Sequence, residues 1–551
     1  MNAGAPEQAG NSQVSAPPRR RRLFPPLRIW IVAACCAAAI FLIQSRELPG
    51  DNAIANVLTL IIGFVGCMTL IVWFLIFSDY GKRIRFWSFV LGLGLVAMMA
   101  AVLRLDTVSG ELVPTFRFRW TPPRDTLLSV PDHAQQVSRI DLSRTTPEDY
   151  PGFLGKDRNL RVDHLAIDPD WSHRPPRLLW KHPIGAGWSA FSVVNGIAFT
   201  LEQRGNQELV TCYDARTGEL LWSHDVLARH ENFLGGIGPR STPTVDGGRV
   251  YTLGATGKLL CLDGATGNSI WSDDLLARYH VDPAKEAASV QWGRAASPLI
   301  VDNLLVVPAG GPAGGPYVSL AAFDKATGKL VWQGGDRQVS YASPSIATLC
   351  GTRQILIVNE NNVTAHDPGS GRVLWSHEWP GGSSSNASCS QAVPVEGDRV
   401  LLSKAYNIGS ELVQISSTGP DQWQVGSVWS NRTLLKTKFT NVVMYQGHAF
   451  GLSDGSLECV SLADGKRAWR KGRYGHGQIL GVRDLLLVQA ESGEVALVAA
   501  DVSQFRELGR FQAIEGKTWN NLCLYGSLLL VRNAEEAACY ELTVSPAAGP
   551  T

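Results

Sequence analysis

Side chains that could bind a ligand recur at one kind of position in the C-terminal two thirds of the chain. Each lies shortly before a short apolar run, and the set is mostly aromatic or cationic, with no carboxylate. An arginine offers a fork of donors and an aromatic ring offers a stacking face, so the set favours an anionic or planar ligand. The alternative is that these side chains fill a channel and satisfy one another. The set consists of Trp188, Arg240, Trp292, Arg294, Tyr341, Lys438, His476, Trp519 and Asn520.

The residue types that a catalytic or metal site needs are not gathered in this sequence. His476 stands alone between glycines, which is typical of a hydrogen-bonded strand end. The stretch Gly310–Gly315 is not followed by Lys-Ser/Thr, so it indicates a turn and not a phosphate loop. None of the ten cysteines forms a CxxC motif. We therefore predict no catalytic residue, no metal ligand and no cofactor.

A short repeated motif predicts the elements that position these side chains. In Asp-x-x-Thr-Gly the carboxylate and hydroxyl cap backbone N–H groups and the glycine takes a positive φ, which reverses one strand into the next. A tryptophan follows four residues after the glycine, where we expect it to pack between neighbouring sheets. Alternating runs such as 249–253 precede the turn, as half-buried antiparallel strands require. The copies are Asp214, Gly218 and Trp222; Asp263, Gly267 and Trp271; Asp324, Gly328 and Trp332; Asp367, Gly371 and Trp375; and a degenerate copy with Gly465 and Trp469.

The aromatic residues that end these motifs predict the number of units. They recur with a mean period of about 47 residues, which suits one four-stranded propeller blade. The fold class is therefore an all-β, eight-bladed propeller. Seven blades is the alternative, because Trp429 and Phe511 lack the full motif. The eight positions are Trp180, Trp222, Trp271, Trp332, Trp375, Trp429, Trp469 and Phe511.

Three apolar stretches near the N-terminus predict membrane-spanning helices. They are 29–43, 57–77 and about 86–103, and none contains a charged residue. The block Arg19–Arg22 and the basic residues of 82–85 should remain in the cytoplasm, so three crossings place the rest of the chain outside it. The sequence thus predicts a bacterial inner-membrane protein with a cytoplasmic N-terminus and a periplasmic propeller.

These patterns divide the chain into five segments. Prolines in the third segment favour an extended connector, and the tails have no apolar periodicity. The segments are a basic tail at 1–22, the anchor at 23–104, the connector at 105–176, the propeller at 177–544 and a tail at 545–551.

The repeated units resemble those of the pyrroloquinoline-quinone (PQQ) repeat family of propellers, from about Trp180 to Val544. The resemblance implies two branches, quinone-dependent alcohol and sugar dehydrogenases and non-enzymatic propellers such as the lipoprotein of the outer-membrane β-barrel assembly machinery. The dehydrogenases use calcium, a catalytic Asp and often a disulfide between adjacent cysteines. Here the only adjacent pair, Cys35-Cys36, lies in an apolar stretch.

The sequence favours a binding or scaffold function for envelope proteins or ligands. The alternatives are a PQQ-dependent membrane oxidoreductase and a sensor that binds anions or carbohydrates. Lys and Arg number 50 against 49 Asp and Glu, so the charge gives no reason to expect nucleic acid. The expected partners are the membrane and proteins of the cell envelope.

Overall fold

The computed structural model describes residues 23–45, 52–131, 141–384, 386–419 and 421–544. Two compact units are distinguished, one formed by the N-terminal helices and one that runs from Leu105 onward. The predicted tails at 1–22 and 545–551 lie outside the described residues.

Three helices of the N-terminal unit are long and apolar enough to cross a membrane, as predicted. The second helix continues through one π-helical turn, so its apolar segment reaches 25 residues. The third begins with a basic first turn, which ends the apolar surface at that side. The helices are Leu27–Ser45, Asn52–Val72 with Trp73–Phe77, and Lys82–Val102.

The second unit contains eight antiparallel sheets of four strands, which confirms the eight-bladed propeller and excludes the seven-bladed alternative. Blades 1 and 2 comprise Ser192–Val194, Ile197–Arg204, Gln207–Asp214 and Leu220–Leu227, then Thr244–Asp246, Arg249–Leu253, Lys258–Asp263 and Ser269–Asp274. Blades 3 and 4 comprise Leu299–Val301, Leu304–Gly310, Val318–Asp324 and Leu330–Gly334, then Ser345–Leu349, Thr352–Val358, Asn362–His366 and Val373–Glu378.

The remaining blades follow the same order, from the inner first strand to the outer fourth strand. Blades 5 and 6 comprise Val393–Val395, Arg399–Lys404, Gly409–Gly419 and Gln422–Asn431, then Val443–Tyr445, His448–Ser453, Ser456–Ser461 and Arg467–Arg473. Blade 7 comprises Gln478–Val482, Leu485–Gln489, Glu494–Ala499 and Glu507–Gln512. Blade 8 comprises Cys523–Tyr525, Leu528–Arg532, Glu536–Glu541 and, as its outer strand, Arg177–Pro183.

Blade 8 closes the ring, because it joins the beginning of the propeller to its end. Arg177 lies opposite Glu541 and Pro183 opposite Glu536 in the antiparallel register. Closure of this kind removes the unpaired sheet edges that an open array of blades would expose. The outer strands of blades 5 and 7 contain Trp429 and Phe511, the two positions that left the seven-bladed alternative open.

Each repeat turn is joined to the tryptophan of the preceding blade. The Asp263 carboxylate accepts from the backbone N–H groups of Ala265 and Thr266 at 3.1 and 2.9 Å, and Gly267 has φ +73°. The Trp222 indole N–H donates to the Gly264 carbonyl at 3.0 Å. Equivalent indole-to-turn bonds join five further pairs of blades, while the Trp375 indole donates instead to the Gln354 side chain at 2.7 Å. The donors of the five further bonds are Trp180, Trp271, Trp332, Trp429 and Trp469.

The segment before the propeller contains regular structure that the predicted extended connector did not include. Strands Leu103–Val108 and Pro114–Phe118 form a two-stranded hairpin, and Arg124–Thr126 forms a 3-10 turn. Two short helices, Leu275–Arg278 and Pro283–Ser289, connect blades 2 and 3. A small hairpin, Glu231–Asn232 with Gly236–Ile237, connects blades 1 and 2.

Candidate functional site

The central channel has two mouths that the strand order distinguishes. All inner strands begin at one end, which we call the upper mouth, and the turns between second and third strands lie at the same end. The repeat turns lie at the opposite, lower end. Every residue of the predicted ligand-binding set precedes an inner strand, so the topology places the set at the upper mouth.

Four of the predicted residues meet around the connection between blades 1 and 2. The Trp188 indole donates to the Gly235 carbonyl at 2.6 Å, and the Arg240 guanidinium donates to the same carbonyl at 2.9 Å. A Cβ on Gly235 would lie 2.5 Å from Trp292, so this indole also packs against the glycine. The Trp292 and Tyr341 rings lie edge to face with centroids 5.2 Å apart.

A second group of rings surrounds Trp519. The centroid of its ring lies 5.0 Å from the ring centroid of Trp188 and 4.5 Å from that of Phe439. The Phe439 ring in turn lies 5.9 Å from the His476 ring. Sequence reasoning missed Phe439, which is adjacent to the predicted Lys438.

Two residues of the predicted set are engaged within the protein framework. Arg294 is 3% exposed and forms an ion pair with Glu286 at 3.0 Å, on the helix Pro283–Ser289. Asn520 is fully buried, and its amide donates to the carbonyl of Ser189 at 2.7 Å. Burial lowers the pKa of Arg294 despite the nearby carboxylate. These side chains hold the upper end of the ring together and present no open face to a ligand.

The tip of the hairpin before the propeller enters the upper mouth. The Gly110 N–H donates to Glu491 Oε1 at 2.6 Å, and Lys438 Nζ donates to the Gly110 carbonyl at 2.7 Å. Glu491 also accepts from the Trp519 indole at 2.8 Å. A Cβ on Gly110 would lie 2.3 Å from the His476 ring, so only glycine permits this approach. The dipeptide Ser109-Gly110 between two alternating runs was the available turn signal.

Lys517 forms a second link between the hairpin and the ring. Its ammonium group contacts Thr107 and donates to the Val108 carbonyl at 3.2 Å. It also lies 4.1 Å from the Trp519 ring centroid and 5.1 Å from that of Trp188, within cation–π range. Burial lowers the pKa of Lys517 to about 8.

A loop formed by 151–162, here called the channel loop, contacts the inside of the ring. The Arg158 guanidinium donates to the carbonyls of Pro298 and Pro344, the latter at 2.9 Å. The Gln391 amide donates to the Arg158 carbonyl at 3.2 Å. The Gly481 N–H donates to the Leu160 carbonyl at 2.8 Å, so the loop also bonds to the inner strand of blade 7. Burial lowers the pKa of Arg158 to about 9.

Positive charge is concentrated beside Cys389, before the inner strand of blade 5. Lys404 is 1% exposed, and its ammonium donates to the Pro380 carbonyl at 2.9 Å and the Ser388 hydroxyl at 3.0 Å. Burial lowers the pKa of Lys404 to about 8. Burial also raises the pKa of the Cys389 thiol to about 12, although the charges of Lys404, Arg240 and Lys438 act in the opposite direction.

The carboxylates of the upper mouth do not form the oxygen cage that calcium prefers. Glu491 is bonded to the hairpin tip, and Glu286 is paired with Arg294. Burial raises the pKa of Glu208 to about 7. Among the described residues no group of three His, Cys, Asp or Glu side chains could hold a metal ion. Glu491 and Glu286 are therefore engaged within the protein framework.

The family model for the outer membrane protein assembly factor BamB matches residues 206–471, from blade 1 into the outer strand of blade 6. Over that segment the chain carries PQQ-like repeats within its eight-bladed propeller. No curated protein matches this PQQ-like propeller in sequence.

Two solved structures are similar to this PQQ-like propeller. BamB from Moraxella catarrhalis is 16% identical, covers 66% of this chain and 99% of its own, and has a TM-score of 0.46. The quinohemoprotein alcohol dehydrogenase ADHIIG from Pseudomonas putida HK5 is 14% identical, covers 76% and 85%, and has a TM-score of 0.50. At such identities the likeness concerns the fold alone.

Proposed function

We propose that this PQQ-like propeller is a binding module, tethered to a bacterial inner membrane, that recognises partner proteins of the cell envelope on the extracytoplasmic side. The observation that supports the proposal is the self-occupied channel. The hairpin tip bonds to Lys438 and Glu491 at the upper mouth, and Arg158 bonds to carbonyls of blades 3 and 4 from within. Recognition therefore falls to the outer surfaces of the ring.

The connection between blades 1 and 2 offers a suitable surface. Leu227, Phe233 and Leu234 are exposed apolar side chains of this connection. The Asn232 side chain accepts from the N–H groups of Leu234 and Gly235 at 2.9 and 3.0 Å, which fixes the shape of the hairpin tip. A pre-ordered apolar tip loses little conformational entropy on binding, which favours its use as an anchor in a partner's pocket.

Site-specific photo-crosslinking in intact cells tests the partner surface. A photoreactive amino acid at Phe233 should give a defined protein adduct that Leu234→Asp abolishes. The matched control is Gln446, an exposed residue in a turn of blade 6 at the lower end. Equal adduct patterns from the two positions would contradict the proposed surface.

Thiol labelling tests on which side of the membrane the propeller lies. In a background without the five cysteines that are not buried, two variants are treated with a membrane-impermeant maleimide on spheroplasts. They are Lys329→Cys in a repeat turn and Lys82→Cys at the first residue of the third helix. We expect labelling of Lys329→Cys at once and of Lys82→Cys only after permeabilisation. The reverse order would overturn the extracytoplasmic assignment.

The oxidoreductase alternative predicts a different response to cofactor. If the binding function is correct, adding pyrroloquinoline quinone and calcium to the purified full chain leaves its melting temperature and visible spectrum unchanged. A stoichiometric complex that raises the melting temperature would instead support the enzyme.

The uncompensated charge of Lys404 favours one second candidate, a module that binds a small anion. Its ammonium is bonded only to neutral oxygens in the described contacts, and the positive charge of Arg240 acts on the same neighbour, Cys389. In this case citrate should raise the melting temperature of the wild type and not that of Lys404→Met. No shift in the wild type would exclude this candidate.

A further inference from the structure

The hairpin before the propeller carries a cluster of exposed aromatic side chains. Phe116, Phe118 and Trp120 are 60%, 49% and 68% exposed. The rings of Phe118 and Trp120 are stacked, with centroids 4.7 Å apart and planes 9° apart. Three neighbouring aromatic residues, each about half or more exposed, form an apolar surface of the kind that marks an interaction site.

Charged contacts on the other side of these residues fix the cluster to the ring. Arg117, which lies between Phe116 and Phe118, pairs with Asp106 at 3.2 Å and with Glu535 in blade 8. Arg124 pairs with the same two carboxylates, each at 2.6 Å. The polar side chains of the segment are thus satisfied within the protein, while its aromatic side chains are not.

The hairpin register places the cluster beside the first strand, which directly follows the third apolar helix in the chain. The Ser109 N–H donates to the Val113 carbonyl at 2.9 Å, and the Thr115 hydroxyl donates to the Thr107 carbonyl at 3.0 Å. Continued along the two strands, this antiparallel register places Phe116 opposite Asp106 in the first strand, Leu103–Val108. Leu103 directly follows the helix Lys82–Val102.

The length of that helix suits one crossing of a membrane. Its 21 residues span about 31 Å, close to the thickness of about 30 Å of a bilayer's hydrocarbon core. If this helix crosses the bilayer, its end lies at the boundary between hydrocarbon and headgroups. Aromatic side chains, tryptophan above all, are enriched at that boundary because an apolar ring and a polar edge are both satisfied there.

We propose that Phe116, Phe118 and Trp120 form a lipid-docking surface that inserts into the interfacial region of the bilayer. The inference rests on the membrane anchoring included in the proposed function. A lipid surface explains a cluster of aromatic residues next to a membrane span better than a protein partner, which would be free to dock anywhere on the ring.

Photo-crosslinking to lipid tests this surface in the full chain. The protein is reconstituted into vesicles of phosphatidylethanolamine and phosphatidylglycerol, with a photoreactive amino acid at Phe118 or Trp120. Two reference positions are Trp87 within the third helix and Phe233 on the propeller, both of them exposed aromatic residues. After illumination, mass spectrometry measures the fraction of protein that carries one phospholipid.

We expect lipid adducts at Phe118, Trp120 and Trp87, and at least tenfold fewer at Phe233. Adducts at Trp87 without adducts at Phe118 and Trp120 would overturn the docking surface while leaving the anchor intact. Loss of adducts at Trp87 as well would refute the anchoring itself. Protein adducts in place of lipid at Phe118 would overturn the inference in favour of a protein partner.

Discussion

At the scale of single residues, the repeat motif joins neighbouring blades as well as reversing a strand. The sequence predicts the turn, because the carboxylate, hydroxyl and glycine of Asp-x-x-Thr-Gly suit it locally. It also predicts that the tryptophan packs between sheets. The acceptor of the indole N–H could not be predicted, since the Gly264 carbonyl belongs to the blade after the one that contains Trp222. Such contacts depend on the spacing between blades, which no local pattern encodes.

Alanine substitution in a repeat turn measures this contact between blades. A Cβ on Gly267 would lie 2.6 Å from the Trp222 ring, whereas one on Gly351 would meet no atom within 4 Å. Both glycines have φ near +72°, at +73° and +72°, so both variants carry the same backbone strain. We expect Gly351→Ala to lower the free energy of unfolding by about 1 kcal/mol and Gly267→Ala by about 3 kcal/mol or more. If urea unfolding gives equal losses of free energy for the two variants, the Trp222 ring moves aside at no energetic cost.

Glu208 predicts a pH dependence of stability. Burial raises the pKa of this carboxyl in the folded protein to about 7, above the usual value near 4.5. As the pH rises from about 4.5 to about 7, the unfolded chain loses its proton first, so the folded state loses stability over this window. The loss approaches about 3 kcal/mol. Glu208→Gln should abolish it, which urea unfolding at pH 5 and pH 8 would show.

The control for this variant is Glu219→Gln, a substitution in an exposed turn. The control should leave the difference between pH 5 and pH 8 as large as in the wild type. If Glu208→Gln behaves like Glu219→Gln, the Glu208 carboxyl does not titrate in the window given.

At the scale of elements, the segment between the helices and the propeller differs most from expectation. Its prolines favour an extended connector, and much of it has no regular structure. The hairpin and the channel loop are stabilised by partners far away in sequence, such as Glu491 for Gly110, 381 residues away, and Pro344 for Arg158, 186 residues away. Sequence periodicity reports a segment's own pattern and carries no information on such partners, which explains why the hairpin was not predicted.

The channel loop provides a test of how firmly this segment is held. Arg158→Ala removes the donors that satisfy the carbonyls of Pro298 and Pro344. Unsatisfied buried acceptors cost about 1–3 kcal/mol each, so we expect a loss of about 2–5 kcal/mol in the free energy of unfolding. Lys156→Ala, at an exposed position of the same loop, should change it by less than about 0.5 kcal/mol. A neutral Arg158→Ala would mean that other contacts hold the loop.

At the scale of the whole molecule, the sequence predicts the number of blades because every blade keeps an aromatic residue in its outer strand. Trp429 and Phe511 occupy this position without the full motif, since the outer strand needs the ring and not the turn. The candidate site was predicted less well. The predicted set lies at one mouth, but Arg294 and Asn520 are bonded within the protein framework. Lys404, Glu491 and Lys517 were missed, because the repeated pattern of the sequence does not single them out.

An engineered disulfide tests the energetic weight of ring closure. Pro183→Cys with Glu536→Cys joins the third and fourth strands of blade 8 across nearly the whole propeller. Gln207→Cys with Leu227→Cys is the equivalent pair in blade 1, and it closes only a short loop. The chain-entropy model gives about 5 kcal/mol or more for the first and about 3 kcal/mol for the second. We expect the larger rise in melting temperature for the first pair, and reductant should reverse both; equal rises would contradict closure across the ring.

The shared blade also constrains how the protein is made. The strand Arg177–Pro183 leaves the ribosome long before its partner, since Arg177 and Glu541 are 364 positions apart. At about 5–20 residues per second, that first strand waits roughly 20–70 s with its hydrogen-bonding groups unpaired. Until its partner strand has been made, an unpaired strand of this kind can pair with the sheet edges of other chains.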